Sequence, residues 1–171
     1  MTIKLFKLSP QIDERGEFTK YISPHALENA EEFNRITEIY TSTSSQNVLR
    51  GMHFQHGQKK MSRFVWVSDG EIDDLVVDLR SGPTFGEVHK NVLKSTEKLM
   101  IYIPWYFAHG FQVLSHKATV NYVTDAEYSP KDESGVKFDS IDYEWTTRPS
   151  HISSRDLGFL PLQDFLGVNV D

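Results

Sequence analysis

The feature that most narrows the fold of this chain is a series of short β-type runs through its middle, at 63–68, 72–79, 88–93, 99–103, 111–115 and 118–124. Turn residues separate most of them, among them Asp69-Gly70, Ser81-Gly82-Pro83 and His109-Gly110. Closely spaced short strands with no long amphipathic helix between them predict an antiparallel sandwich or barrel rather than βαβ units. In 118–124, Ala118, Val120 and Tyr122 alternate with Thr119 and Asn121. One face is therefore expected to be buried while the other lines a polar cavity or meets solvent. Helix signals sit only toward the ends. Ser23-Pro24 supplies an N-cap and a first-turn proline before Leu27, Ala30 and Phe33. Ser153-Ser154-Arg155-Asp156 has capping-box spacing, and Leu160-Pro161 ends whatever begins there.

A length of 171 residues with 39% hydrophobic side chains suits one core, so the expectation is one domain over 1–171 with small helical additions. The absence of cysteine excludes a disulfide scaffold, a thiolate zinc site and a cysteine nucleophile. Eighteen Lys and Arg against 24 Asp and Glu leave a net charge of −6, which argues against a broad basic face for nucleic acid. An anionic small ligand would need a local basic cluster. The opening Met1-Thr2-Ile3-Lys4-Leu5-Phe6-Lys7 has no long apolar run and no cleavage pattern, and no later stretch is long enough to span a bilayer. An unexported, cytoplasmic protein is expected.

Phosphate-cradling glycine loops, a dinucleotide-binding fingerprint and a nucleophile-elbow serine are all absent, which removes the usual signals of NTP hydrolysis and Rossmann-type hydride transfer. What stands out is Asn47-Val48-Leu49-Arg50-Gly51-Met52-His53-Phe54-Gln55, followed by Lys59, Lys60 and Arg63 in an otherwise acidic chain. A second histidine, His109, lies where a proline-containing loop enters a strand and can aim an imidazole inward. His53, His56 and His109 invite a metal reading, because imidazole is a common ligand for zinc, iron and copper. Against it, His53 and His56 are three residues apart, which on a strand sends them to opposite faces. For Asp156, a capping role competes with a chemical one.

These segments together resemble the dTDP-4-dehydrorhamnose 3,5-epimerase family of metal-free cupins. The resemblance runs in order through Asp13-Glu14-Arg15-Gly16, Val48 to Gln55, Gly70-Glu71, Val77-Asp78-Leu79-Arg80, Gly82-Pro83-Thr84-Phe85-Gly86, Ile103-Pro104, Phe107-Ala108-His109-Gly110-Phe111, Tyr128-Ser129-Pro130 and Ser154-Arg155-Asp156. It implies an all-β, cupin-type antiparallel jelly-roll barrel with short terminal helices. It also implies a homodimer, a nucleotide-sugar substrate, and no metal or other cofactor.

The reaction implied is inversion at C3, C5 or both beside the C4 ketone of a nucleotide-linked 4-keto-6-deoxyhexose. That chemistry needs a base for an α-proton, a held enolate and an acid on the opposite face. The resemblance assigns His53 as base, Asp156 as its carboxylate partner and Tyr128 as acid. It places Arg63 where many relatives carry a lysine beside the C4 oxygen, Arg50 and His109 along the sugar and phosphate, and Arg15 near the diphosphate or nucleoside. Glu38 and Tyr40 stand where many relatives have Gln-x-Asn, and Lys20 where a number have glutamate. These departures loosen the case for dTDP and for a rhamnose precursor, and leave open a CDP-linked 4-keto-3,6-dideoxyhexose, inversion at one carbon only, or a non-catalytic nucleotide-sugar-binding barrel.

Overall fold

The computed structural model describes residues 2–169; Met1, Val170 and Asp171 lie outside the described residues. Twelve strands run β1 (Lys4–Lys7), β2 (Gln11–Asp13), β3 (Gly16–Phe18), β4 (Glu38–Ser45), β5 (Leu49–Gln55), β6 (Arg63–Asp69), β7 (Glu71–Asp78), β8 (Val88–Lys94), β9 (Leu99–Ile103), β10 (Phe107–Val113), β11 (Lys117–Thr124) and β12 (Glu133–Gly135). They form two five-stranded antiparallel sheets, ordered β1-β9-β6-β11-β4 and β12-β5-β10-β7-β8, with β2 and β3 as a separate hairpin. This is the jelly roll expected. Among the described residues no helix is long and apolar enough to cross a membrane.

The core explains why the middle strands read as nearly continuous apolar runs. Val65 and Val67 of β6, Ile72 and Val76 of β7, and Phe111 and Val113 of β10 meet between the sheets. The alternate residues are buried too. Phe64, Met100 and Tyr102 are covered on the outside of the first sheet by Ala26, Ala30 and Phe33 from α1 (Pro24–Glu28) and the turn after it. Leu75 and Val77 on the outside of the second sheet pack with Val136, Ile141, Tyr143 and Trp145. A sheet covered on both faces loses polar alternation. Asp73 on that outer face is no exception to the rule that buried carboxylates need partners: it accepts from Tyr143 Oη at 2.5 Å and Thr146 Oγ1 at 2.8 Å.

One expectation holds and one is corrected. In β11 Ala118, Val120 and Tyr122 are buried, with Tyr122 reaching the cavity described below, while Thr119 and Asn121 face outward and bond Thr43 and Ser68, as expected of a face that meets solvent. Apolar alternation correctly marked the buried face, and the aromatic at its end forms the cavity wall. His109-Gly110 is no turn but the middle of β10, which starts four residues before the expected boundary. Glycine is required there because β5 and β10 approach closely at a register irregularity between His109 and Phe111. A Cβ on Gly110 would stand 2.5 Å from Met52 Sδ, and one on Gly51, at φ +133°, 2.4 Å from Gly110 Cα.

Candidate active site

A cavity of about 670 Å³ opens between the sheets, lined by Glu38, Ile39, Tyr40 and Ser42 of β4, by Arg50, His53, Phe54 and Gln55 of β5, and by Arg63, His109, Phe111 and Tyr122. Met61, Tyr128, Glu133 and Arg155 complete the lining. Its size suits a small-molecule ligand.

The short helix α2 (Ser154–Leu157) carries Asp156 to this cavity's histidine. Ser153 caps the helix, its Oγ accepting the Asp156 backbone N–H at 3.1 Å. The Asp156 side chain does not return the capping bond. It accepts the Gly51 N–H at 3.1 Å through Oδ2 and lies 2.9 Å from His53 Nε2 through Oδ1. The cap and the chemical reading therefore coexist, one using the backbone and the other the carboxylate. Asp156 is 2% exposed, and burial works against its charge. The hydrogen bond and charge of His53, the Gly51 N–H and the Ser153 hydroxyl outweigh burial and hold the carboxyl well below the usual carboxylate range.

An ionised carboxylate only accepts, so it selects the His53 tautomer with the proton on Nε2 and leaves the lone pair on Nδ1. Arg155 Nη2 also lies 2.9 Å from Nε2. One ring nitrogen cannot donate to Asp156 and accept from Arg155 together. With Nε2 protonated, Arg155 is held by its other contacts, Nε to Asp156 at 3.2 Å and Nη1 to Glu133 at 2.8 Å.

Tyr128 stands at the rim, 52% exposed, its hydroxyl donating to Glu133 at 2.8 Å. Arg63 is 6% exposed, its Nε has no hydrogen-bond partner, and no ion pair reaches it among the described residues. An unpaired buried cation facing a cavity is poised for an anionic ligand. His109 sits opposite His53 in the β5–β10 register and lies 2.6 Å from the buried Asp74. Tyr40 stacks on Tyr122 with ring centroids 4.8 Å apart, and Arg50 donates to Ser44 Oγ at 2.9 Å. His56 points away from the cavity and stacks on Phe54, so the three histidines do not converge. Among the described residues no cluster of three His, Cys, Asp or Glu side chains is arranged to hold a metal ion.

The family model described as dTDP-4-dehydrorhamnose 3,5-epimerase matches residues 2–164. The chain belongs to that epimerase family, whose members are isomerases. A dTDP-4-dehydrorhamnose 3,5-epimerase of Shigella flexneri is 36% identical over 151 residues, 85% of this chain and 82% of that protein. One of Mycobacterium tuberculosis is 35% identical over 124 residues, and there the chain spans 61% of the relative's length. The solved structure of a Legionella pneumophila dTDP-6-deoxy-D-glucose-3,5-epimerase, in complex with dTDP-4-keto-L-rhamnose, superposes with a TM-score of 0.91 at 29% identity, covering 99% of this chain and 94% of that one.

For this epimerase-family chain, the structure brings His53, Tyr128, Asp156, Arg50, Arg63, His109, Glu38 and Tyr40 to one place, Asp156 through its bond to His53 and the others as lining residues. Arg15 and Lys20 do not line the cavity. Arg15 sits at the tip of the β2–β3 hairpin, its guanidinium on Asp13. Sequence reading missed Glu133 and Arg155. Arg155 lies next to Asp156 and could have been found by adjacency, whereas Glu133 reaches the cavity only because β12 pairs with β5, Gly135 opposite His53.

Proposed function

We propose that the chain inverts C3, C5 or both in a nucleotide-linked 4-keto-6-deoxyhexose. The observation that carries this reading is the convergence on one cavity of a carboxylate-paired imidazole, a phenol and an unpaired buried cation. The C4 carbonyl acidifies the flanking C–H bonds. His53 Nδ1 takes such a proton, becoming imidazolium, and the electron pair moves onto the C4 oxygen. Arg63 offsets that developing charge. The phenol of Tyr128 then protonates the carbon from the other face as the C4 ketone re-forms; the phenolate regains a proton from water, and the His53 imidazolium returns its proton to solvent, so that both groups are restored. Asp156 keeps the imidazole in the required tautomer and faces the imidazolium as it forms.

The test is deuterium incorporation from solvent at C3 and C5 of synthesised dTDP- and CDP-linked 4-keto sugars. Exchange at one or both carbons with inversion is expected. No exchange with either nucleotide defeats the reading, and the pattern of exchange names the carbon. Glu38 and Tyr40, both on the cavity wall, make the choice of nucleotide the open part of the proposal. The placement of Arg15 and Lys20 away from their own cavity supports the homodimer that the resemblance implies, the exposed hairpin with Ile12 and Phe18 extending to a second copy.

Asp156→Asn is expected to lower kcat by a factor on the order of 10²–10⁴, the range of positioned acid–base catalysis, with KM little changed. Steady-state kinetics check this; equal loss in binding would assign Asp156 to ligand contact instead. The same substitution tests stability against pH. A carboxyl depressed in the folded state contributes stability in full above the unfolded titration near about pH 4, and loses it as pH falls below that. The thermal gap between wild type and Asp156→Asn is therefore expected to narrow in acid.

A further inference from the structure

Four loops enclose a second cavity of about 590 Å³, which shares no lining residue with the catalytic one. Glu32 comes from the connection between α1 and β4, Lys60 from that between β5 and β6, Trp105 from that between β9 and β10, and Asp125 from that between β11 and β12. The loops are tied to one another. Gln55 Nε2 donates to the carbonyls of Lys59 and Glu127 at 2.5 and 2.9 Å, Asp125 Oδ1 accepts the Ser62 N–H at 2.8 Å, and Thr37 Oγ1 donates to Asp125 O at 2.8 Å. The cavity is therefore built before any ligand arrives.

Its wall carries polar groups that the protein leaves unpaired. Glu32 Oε2 and Trp105 Nε1, both on lining residues, are buried without a hydrogen-bond partner among the described residues. Tyr102 and Ser62, 2% and 1% exposed, keep hydroxyls that are unpartnered in the same way. Besides burial, the groups that bear most on the Tyr102 phenol are the Ser62 hydroxyl, Glu32 and Asp125, which aims it at this wall. Burial also pushes the Asp125 carboxyl up to about 6, although the Ser62 N–H and the charge of Arg63 act to hold it down. Each orphaned group costs free energy that a matching ligand returns.

The chemistry of the orphans selects the ligand. An indole N–H only donates and a carboxylate oxygen only accepts, and a hydroxyl answers both. An ammonium group offers no acceptor, and an anionic phosphate is repelled by the carboxylates. Nor does charge favour an ion. Lys59 is held by Glu127 at 2.7 Å, Arg35 also bears on Glu127, and Lys60 lies over the Trp105 ring, 4.8 Å from its centroid. Basic and acidic side chains thus offset one another around the wall. We propose that this cavity is a second ligand site, taking a neutral polyhydroxylated molecule whose hydroxyls accept from Trp105 Nε1 and donate to Glu32 and Asp125. The site stands apart from the epimerase reading, since none of its lining residues belongs to the catalytic cavity.

The test is isothermal titration calorimetry of the whole chain with glycerol, D-glucose and D-mannitol, with ethylammonium chloride and inorganic phosphate as cationic and anionic alternatives. Saturable single-site binding of at least one polyol is expected. It should be unchanged in His53→Asn, weakened about tenfold in Glu32→Gln and about three- to tenfold in Trp105→Phe. Glu32→Gln is expected to leave Tm unchanged, since Oε2 bonds nothing in the protein, so its weaker binding reads the site and not the fold. A change in indole emission on titration, absent in Trp105→Phe, places the polyol at this wall. Saturation by ethylammonium or phosphate with none by a polyol overturns the proposal through its ligand class. Polyol binding that is indifferent to Glu32→Gln and Trp105→Phe, or that His53→Asn abolishes, puts the ligand elsewhere and overturns the site. No saturable binding by any polyol leaves these groups to solvent and does the same.

Discussion

His53→Asn is expected to reduce kcat/KM by about 10³-fold, within the range removed with a general base. The argument is geometric. Among the described residues the hydrogen bonds of His53 all run through Nε2, so Nδ1 alone is left with a free lone pair. Asparagine cannot accept the substrate proton, and no other imidazole on the cavity wall has the Asp156 contact; His109 is held by Asp74. Stability should fall too. Asp156 is buried and loses one charge-assisted bond while keeping the Gly51 N–H. A loss of about 1.5–3 kcal/mol corresponds to a Tm decrease of about 3–12 °C for a chain of this size. Ligand binding by the variant should be near normal. In wild type, kcat/KM is expected to decline in acid, because a protonated imidazole has no lone pair, and Asp156 stays ionised throughout that range. A variant retaining a tenth of wild-type turnover, or a flat acid limb, would remove His53 from the role of base.

Arg63→Met is expected to lower kcat by about 10²–10³-fold, the cost of removing one donor from a developing oxyanion, while leaving Tm equal or higher. The two effects have one cause. Among the described residues no carboxylate lies within ion-pair distance of the buried Arg63, and Asp125 acts on it only at longer range, so the protein without ligand bears part of the cost of a desolvated charge that an anionic reacting group offsets. Methionine fills similar volume without that cost. Arg63→Lys should recover part of the rate, since it restores charge but not the guanidinium geometry. If Arg63→Met loses both activity and several degrees of Tm, the arginine is structural, through its charge interaction with Asp125. Activity near wild type would mean that the ketone oxygen is stabilised elsewhere.

Both predictions depend on residues of differing legibility. The strands from β6 to β9 and β11 could be read because Asp69-Gly70 and Ser81-Gly82-Pro83 break the apolar runs between them. β4 was not legible, since EIYTSTSS is polar and mostly solvent-facing and shows no alternation. β5 and the start of β10 were obscured by Gly51 and Gly110, whose role is close approach of two backbones and which look locally like turn residues. In the site, His53, Tyr128 and Asp156 came from a resemblance, with Asp156 otherwise readable as a cap. Glu133 had no local signal of any kind.

By itself the sequence determined what is local: strand periodicity, the turns that end it, the Ser153 cap, the absence of thiols, and the set of ordered motifs shared with an epimerase family. Only the tertiary structure decided which groups meet. His53 and Asp156 are 103 residues apart in the chain, and their pairing depends on β5 being held between β12 and β10 while α2 folds back over it. Arg15 carries a family motif and yet lies outside its own cavity, whereas Glu133 carries none and lies within it. The reason is that side-chain chemistry is encoded residue by residue, but distance between side chains is set by strand pairing, which joins segments without regard to their separation in sequence.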